Sequence, residues 1–305
     1  MEFSLTILGS GGAAPTPERH PTAQCLQVGN QSYLIDAGEG VQMRMLRFGI
    51  SHARIRHIFI SHLHGDHYLG LMGLIFSMHL GKRQEDLHVY SHRGLDELIL
   101  LHLRHARSTL TFRLHFHFLT EGQEEILMED DNLTVKAIPL NHRLPCSGFL
   151  FREKDRPRKL RKELLPEGVL LQHLVRLKAG ETILDESGKV LMDPERLTWP
   201  PPRPRSYAFC SDTAWFDELP RYVNGVNLLY HEATFHSNEI DKARETFHST
   251  ARQAAQVASS AGVERLLIGH LSGRYKNQDV ILDEARAVFP ATDLAIEGQV
   301  HRVPD

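Results

Sequence analysis

The stretch His57-Ile58-Phe59-Ile60-Ser61-His62-Leu63-His64-Gly65-Asp66-His67 decides how the rest of the chain is read. Its apolar half, Ile58, Phe59 and Ile60, is β-branched and aromatic and predicts a short buried strand. Its polar half sets His62, His64, Asp66 and His67 within six positions. His62 and His64 are two apart, so an extended backbone turns them to the same side. Gly65 is expected to allow a sharp turn, after which Asp66 and His67 face a second point. Imidazole together with carboxylate suits zinc or a similar divalent ion. Four such residues exceed what one metal with an open position needs from a single loop. The stretch therefore reads as half of a two-metal site.

The chain of 305 residues is 41% hydrophobic and 24% charged, an ordinary globular composition. A formal net charge of -3 does not mark a nucleic-acid binder, although a local basic patch is what such binding needs. Cys25, Cys146 and Cys210 are odd in number and match no zinc-knuckle spacing, so the expectation is a reduced, cytoplasmic protein. The opening residues read as a strand rather than a signal peptide. The apolar run from Leu69 to Leu80 carries His79 and is too short to span a bilayer, so no membrane partner is expected. Most of the twenty histidines, His88, His92, His115 and His117 among them, read as surface or satisfied core residues.

Residues 3–8 alternate like a strand. Gly9-Ser10-Gly11-Gly12-Ala13-Ala14 follows and fits the loose dinucleotide pattern, with Asp36 beyond it. That pattern needs a helix opening at the glycines, and Pro15, Pro17 and Pro21 forbid one. The better reading is a glycine loop at the mouth of an active site. Strands are expected at 24–28 and 32–36, joined by Gly29-Asn30, then a helix from Val41 to Phe48. Helices are expected at 68–80 and 94–106, and a strand at 133–140 that runs into Asn141-His142. Later strands fall at 206–210, 227–230, 265–268 and 293–296, with helices at 250–260 and 279–289. Ser249 and Thr250 are both candidate caps for the first of these.

Residues 152–178 differ from their surroundings. They carry nine Lys or Arg and four acids on an otherwise acidic chain, with few apolar positions. They read as an insertion, with proline-rich residues 194–204 as an extended return path. The whole chain, 1–305, reads as one domain with 152–204 inserted.

His62-x-His64-x-Asp66-His67 resembles the signature of the metallo-β-lactamase fold. That resemblance implies an α/β architecture of four layers, αββα, with two sheets face to face and helices outside. Asp36-x-Gly38 resembles the stretch that supports the metal loop in that fold. Three later residues at strand ends complete a site: His142, Asp212 and His270. One metal would take His62, His64 and His142. The other would take Asp66, His67 and His270, with Asp212 bridging.

The words around these residues resemble ribonuclease Z, the endonuclease that removes 3′ trailers from precursor tRNA. They are Cys210-Ser211-Asp212-Thr213, His231-Glu232-Ala233-Thr234, His248-Ser249-Thr250 and Gly269-His270-Leu271-Ser272-Gly273-Arg274-Tyr275. The resemblance runs in order over nearly the whole chain, at the short-form length. It implies two zinc ions, a homodimer, and a basic arm that grips tRNA. Two words depart from the family's pattern: Arg19-His20 stands where an Arg-Asn pair is expected, and the arm reads Leu165-Pro166-Glu167-Gly168-Val169. Asp66 is then both ligand and proton acceptor. His248 is the general acid, and Glu232 holds it in the correct tautomer. Arg156, Arg158, Lys159, Arg161, Lys162 and Arg274 are the candidate RNA contacts. The alternative is a zinc phosphodiesterase or 3′ exoribonuclease on other RNA or small diesters. A non-catalytic RNA-binding scaffold is disfavoured by the full ligand set.

Overall fold

In the apolar strand before the metal loop, alternate side chains go to different cores. The computed structural model describes residues 2–304; Met1 and Asp305 lie outside the described residues. The strand is Ile55–Phe59. Ile58 packs outward with Met45, Leu71, Leu74 and Ile75 from helices Val41–Arg47 and Gly65–Leu80. Phe59 points inward and meets Phe149 and Phe151 of the opposite sheet at 5.4 and 5.3 Å between ring centroids. Period-two alternation thus builds one helix-covered face and one aromatic seam.

The first sheet has seven strands, in the order Val300–Arg302, Phe3–Gly9, Ala23–Val28, Gln31–Ala37, Ile55–Phe59, Leu87–Ser91 and Leu114–Phe118. The second also has seven, in the order Thr292–Leu294, Arg265–Gly269, Leu228–Glu232, Ser206–Cys210, Ser147–Glu153, Leu133–Pro139 and Glu125–Glu129. Its outer face is covered by helices Ala251–Ser260 and Asp279–Arg286 through Ala254, Ala255, Ala258, Ile281 and Ala285. The four αββα layers expected from the metal-loop signature are therefore present. Of the two candidate caps, Ser249 and Thr250, it is Thr250 that caps its helix, in a capping box closed by Gln253.

Several elements differ from the sequence reading. The helix expected at 68–80 begins at Gly65, so Asp66 and His67 lie in its first turn rather than past a glycine turn. The helix N-terminus itself turns the chain through the site. The final expected strand is shorter, Thr292–Leu294, and is followed by Val300–Arg302, which pairs with Phe3–Gly9. Single-turn and edge strands carry too few alternating positions to read from sequence. Four histidines stack along one face of neighbouring strands: His57 on His88 at 5.0 Å, and His88 on His115 and His117 at 4.8 and 5.2 Å.

The described residues divide into two compact units, one of residues 2–130, 134–152 and 205–304, the other of 131–133 and 153–204. The second has an apolar centre of Leu177, Ile183, Met192 and Leu197. The apolar pattern is thus less sparse than residues 152–178 suggest. The expected extended return contains a helical turn, Pro194–Leu197, capped by Asp193. Residues 153–204 carry eleven basic and nine acidic side chains, so the positive excess belongs to their first part.

Candidate metal and catalytic centre

The seven residues expected to ligate metal come together at the ends of strands and in the first turn of one helix. His62 Nε2, His64 Nδ1, His142 Nε2 and Asp212 Oδ2 form one cluster. His64 Nδ1 lies 2.9 and 3.1 Å from the His62 and His142 nitrogens, and Asp212 Oδ2 lies 3.5 Å from His62 Nε2. Asp66, His67 and His270 form the second. Asp212 Oδ1 stands 3.4 Å from His67 Nε2 and 3.1 Å from His270 Nε2. One carboxylate thus presents a different oxygen to each cluster.

The outer hydrogen bonds decide which ring nitrogens face inward. His67 Nδ1 donates to Asp36 Oδ2 at 2.6 Å. His142 Nδ1 donates to the Phe247 carbonyl at 3.0 Å. His270 Nδ1 meets the Thr234 hydroxyl at 3.0 Å, and that hydroxyl donates to Glu232 Oε2 at 2.6 Å. Ser61 Oγ donates to Asp36 and accepts from His62 Nδ1 at 3.1 Å. In each ring the Nδ1 proton is used, so Nε2 keeps its lone pair for the cluster. His67 Nε2 and His270 Nε2 are buried with no hydrogen-bond partner. A buried polar atom without a partner costs about 1–3 kcal/mol, and a cation between these groups removes that cost. The donor set of imidazoles and carboxylates fits zinc at both clusters.

Backbone strain is concentrated here. Asp36 and His270 have left-handed backbone, with φ of 54° and 56°, which costs a non-glycine residue about 1–2 kcal/mol. Asp36 is held by Ser61 N at 2.8 Å in addition to His67. Gly38 and Gly70 let the Asp36 turn lie against the metal helix, since a Cβ on Gly70 would sit 2.0 Å from the Gly38 carbonyl. That close approach is the physical content of the Asp36-x-Gly38 pair. The glycine loop reaches the site as expected: Ala13 N donates to Asp66 Oδ2 at 2.8 Å, and a Cβ on Gly12 would strike the His270 ring.

The expected acid pair is also in place. Glu232 is fully buried, and its Oε1 receives His248 Nδ1 at 2.8 Å. The backbone amides of Thr213, Thr234 and Ser249 hold the same carboxylate at 3.0, 3.0 and 3.1 Å. Burial works against both charges, but His248 and Glu232 sustain each other: the Glu232 pKa is lowered and that of His248 is raised to about 9. His248 also groups with Asp212 and His270, close enough for ligand atoms to converge.

The candidate RNA contacts are engaged more than expected. Arg156 pairs with Glu153, and Arg158 with Glu195 at 2.8 Å. The Arg161 guanidinium lies 3.7 Å from the centre of the Trp199 ring. Only Lys159 and Lys162 of the five are exposed. Arg274 pairs with Glu239 and covers Phe235. Sequence reasoning missed Thr234 and Ser61 as orienting hydroxyls. Both stand within or beside the words that carried the resemblance, which was the available signal. The Phe247 carbonyl gives no sequence signal at all.

Residues 3–156 match a family model described as anti-Pycsar protein Apyc1. Ribonuclease Z of Bacteroides fragilis is 44% identical over 298 residues, covering 97% of this chain and 98% of that protein. Ribonuclease Z of Cytophaga hutchinsonii is 43% identical over 305 residues, covering 100% of this chain and 97% of that one. Among solved structures, human tRNase Z, short form (ELAC1), matches with a TM-score of 0.72 and 25% identity, covering 99% and 100% of the two chains. The metallo-β-lactamase fold protein YhfI of Bacillus subtilis matches with a TM-score of 0.70 at 17% identity over 99% of this chain and 100% of that one, a likeness of fold.

Proposed function

Because the chain belongs to the ribonuclease Z family, we propose that it is a zinc-dependent endoribonuclease that hydrolyses the phosphodiester joining the 3′ trailer to precursor tRNA. The observation that carries the reading is the division of Asp212: Oδ2 faces His62 and Oδ1 faces His270. His62, His64 and His142 would hold one zinc ion, and Asp66, His67 and His270 the other, with Asp212 shared. Two such ions, when bound, neutralise the scissile phosphodiester and make water a nucleophile at neutral pH.

The chain's own groups do the rest. Asp66, fixed by the Ala13 amide, takes the proton released by the attacking water. His248 Nε2 gives a proton to the departing ribose oxygen. Its Nδ1 is committed to Glu232, which leaves one nitrogen for the transfer and keeps the ring charged. Gly12 and Ala13 cover the Asp66–His270 side of the cluster and limit how the phosphodiester can enter.

Residues 152–204 act as the arm that grips tRNA, through Lys159 and Lys162 foremost, and the working form is a cytoplasmic homodimer. No helix among the described residues is long and apolar enough to cross a membrane. The test is incubation of the purified protein with a trailer-bearing precursor tRNA. A single internal cut, lost with chelator and restored by zinc, is expected. Stepwise shortening from the 3′ end would support the exonuclease reading instead.

A further inference from the structure

Gly12 and Ala13 of the glycine loop face His270 and Asp66. Ser10 of the same loop lines a cavity of about 330 Å³ together with Glu18, Arg19, His20, Arg44, Arg47 and Phe48, and with Ile296 and Glu297. That volume is at the lower end of sites that hold small organic ligands, about 300–1,000 Å³. Arg19 ties the cavity wall to the metal centre, donating to the carbonyls of Leu271 and Ser272 at 3.3 and 3.2 Å, the two residues after His270. Gly12 N donates to the same Leu271 carbonyl.

Its chemistry is mixed in a particular way. Glu297 binds Arg44 at 2.5 Å and His20 at 3.0 Å, so the Arg44 charge is largely balanced. The Arg44 guanidinium lies 4.6 Å from the centre of the Phe48 ring and holds that wall in place. Arg47, in the last turn of the same helix, is exposed. The cavity therefore offers an exposed guanidinium, Arg47, and an exposed carboxylate, Glu18, beside an aromatic and aliphatic wall. A bare phosphate has no use for Phe48 and Ile296, and an apolar ligand has none for Arg47. A nucleotide uses both, the phosphate on the cation and the base against the ring.

We infer that this cavity receives a nucleotide flanking the scissile phosphodiester, a subsite that rests on the RNA reading above. It sets how the strand leaves the metal centre.

Two exposed positions test it without touching the metal or proton-transfer groups. Arg47→Glu reverses the charge, and Ile296→Trp fills the mouth. The first readout is equilibrium binding of a fluorescent single-stranded trinucleotide RNA to the zinc-loaded protein. The second is kcat/KM on precursor tRNA and on bis(4-nitrophenyl) phosphate. Each variant is expected to weaken trinucleotide binding roughly tenfold, the size of one charge-assisted phosphate contact. Precursor cleavage should fall by a similar factor, with hydrolysis of the small diester within about twofold. Trinucleotide affinity at the wild-type level in both variants overturns the subsite. Failure of the wild type to cut precursor tRNA would count against the proposed reaction alone, because the trinucleotide measurement still decides the cavity.

Discussion

Glu232 Oε1 lies 2.8 Å from His248 Nδ1, and the carboxylate has no exposure to solvent. An acid buried this fully must spend its charge on neighbours, and this one spends it on three amides, one hydroxyl and one imidazole. The pairing fixes both the tautomer and the charge of His248. A general acid works only while protonated, so its contribution to kcat should fall as pH rises through about 9. Glu232→Gln removes the charge that raises the pKa, and the fall should begin nearer 6.5. His248→Ala should lower turnover on precursor tRNA by about 10²–10⁴. A diester with an activated leaving group should lose far less. Equal losses on both substrates would mean that His248 binds phosphate instead.

Asp36 and Thr234 orient two histidines expected to hold metal, His67 and His270. Asp36→Ala releases His67 Nδ1, and Thr234→Val removes the hydroxyl between Glu232 and His270. Each should weaken zinc binding by about 10–100-fold, read by competition with a chromogenic chelator. Unchanged affinity in both would show that the first turn of the Gly65–Leu80 helix and the strand ends orient the rings unaided.

The fold was legible where alternation was long. The strands before the expected ligands all end in polar words, and the αββα layering is what the resemblance of the metal loop implies. The candidate site was legible because its expected ligands, which the fold brings together, sit in short words of unusual composition. The start of the Gly65–Leu80 helix was not, because glycine at a helix start looks like a turn. The roles of Arg156, Arg158 and Arg161 were not either. Composition counts charges, while their partners Glu153, Glu195 and Trp199 are known only once residues 153–204 fold on themselves.

That difference narrows the arm experiment. Changing Arg156, Arg158 or Arg161 removes contacts that hold the small unit together. Lys159→Ala with Lys162→Ala leaves those contacts in place. The double variant should weaken precursor tRNA binding and reduce the slope of log affinity against log salt, by at most about two units if each lysine neutralises one phosphate. Hydrolysis of a small diester should stay near wild type. An unchanged slope would place the gripping surface outside these two residues.

The stacked histidines predict an acid limit to stability. Burial, then the neighbouring His88 and His117, lower the pKa of His57 to about 4, and those of His88 and His117 are lowered as well. The unfolded chain takes up these protons below about 6.5 and the folded chain does not. Stability should therefore decline as pH falls from about 6.5 toward 4. His88→Phe keeps the stack and removes one titrating ring, so its melting temperature should fall less steeply over that window than the wild type's. Parallel curves would show that other groups set the acid limit.

The central claim is a two-ion centre divided by one carboxylate. Anomalous diffraction at the zinc edge from crystals of the zinc-loaded protein tests it most directly. The account predicts two peaks, one among His62, His64 and His142 and one among Asp66, His67 and His270, each within bonding distance of a different oxygen of Asp212. In Asp212→Ala, one or both should lose occupancy. A single peak in the wild type, or two full peaks in Asp212→Ala, would contradict it.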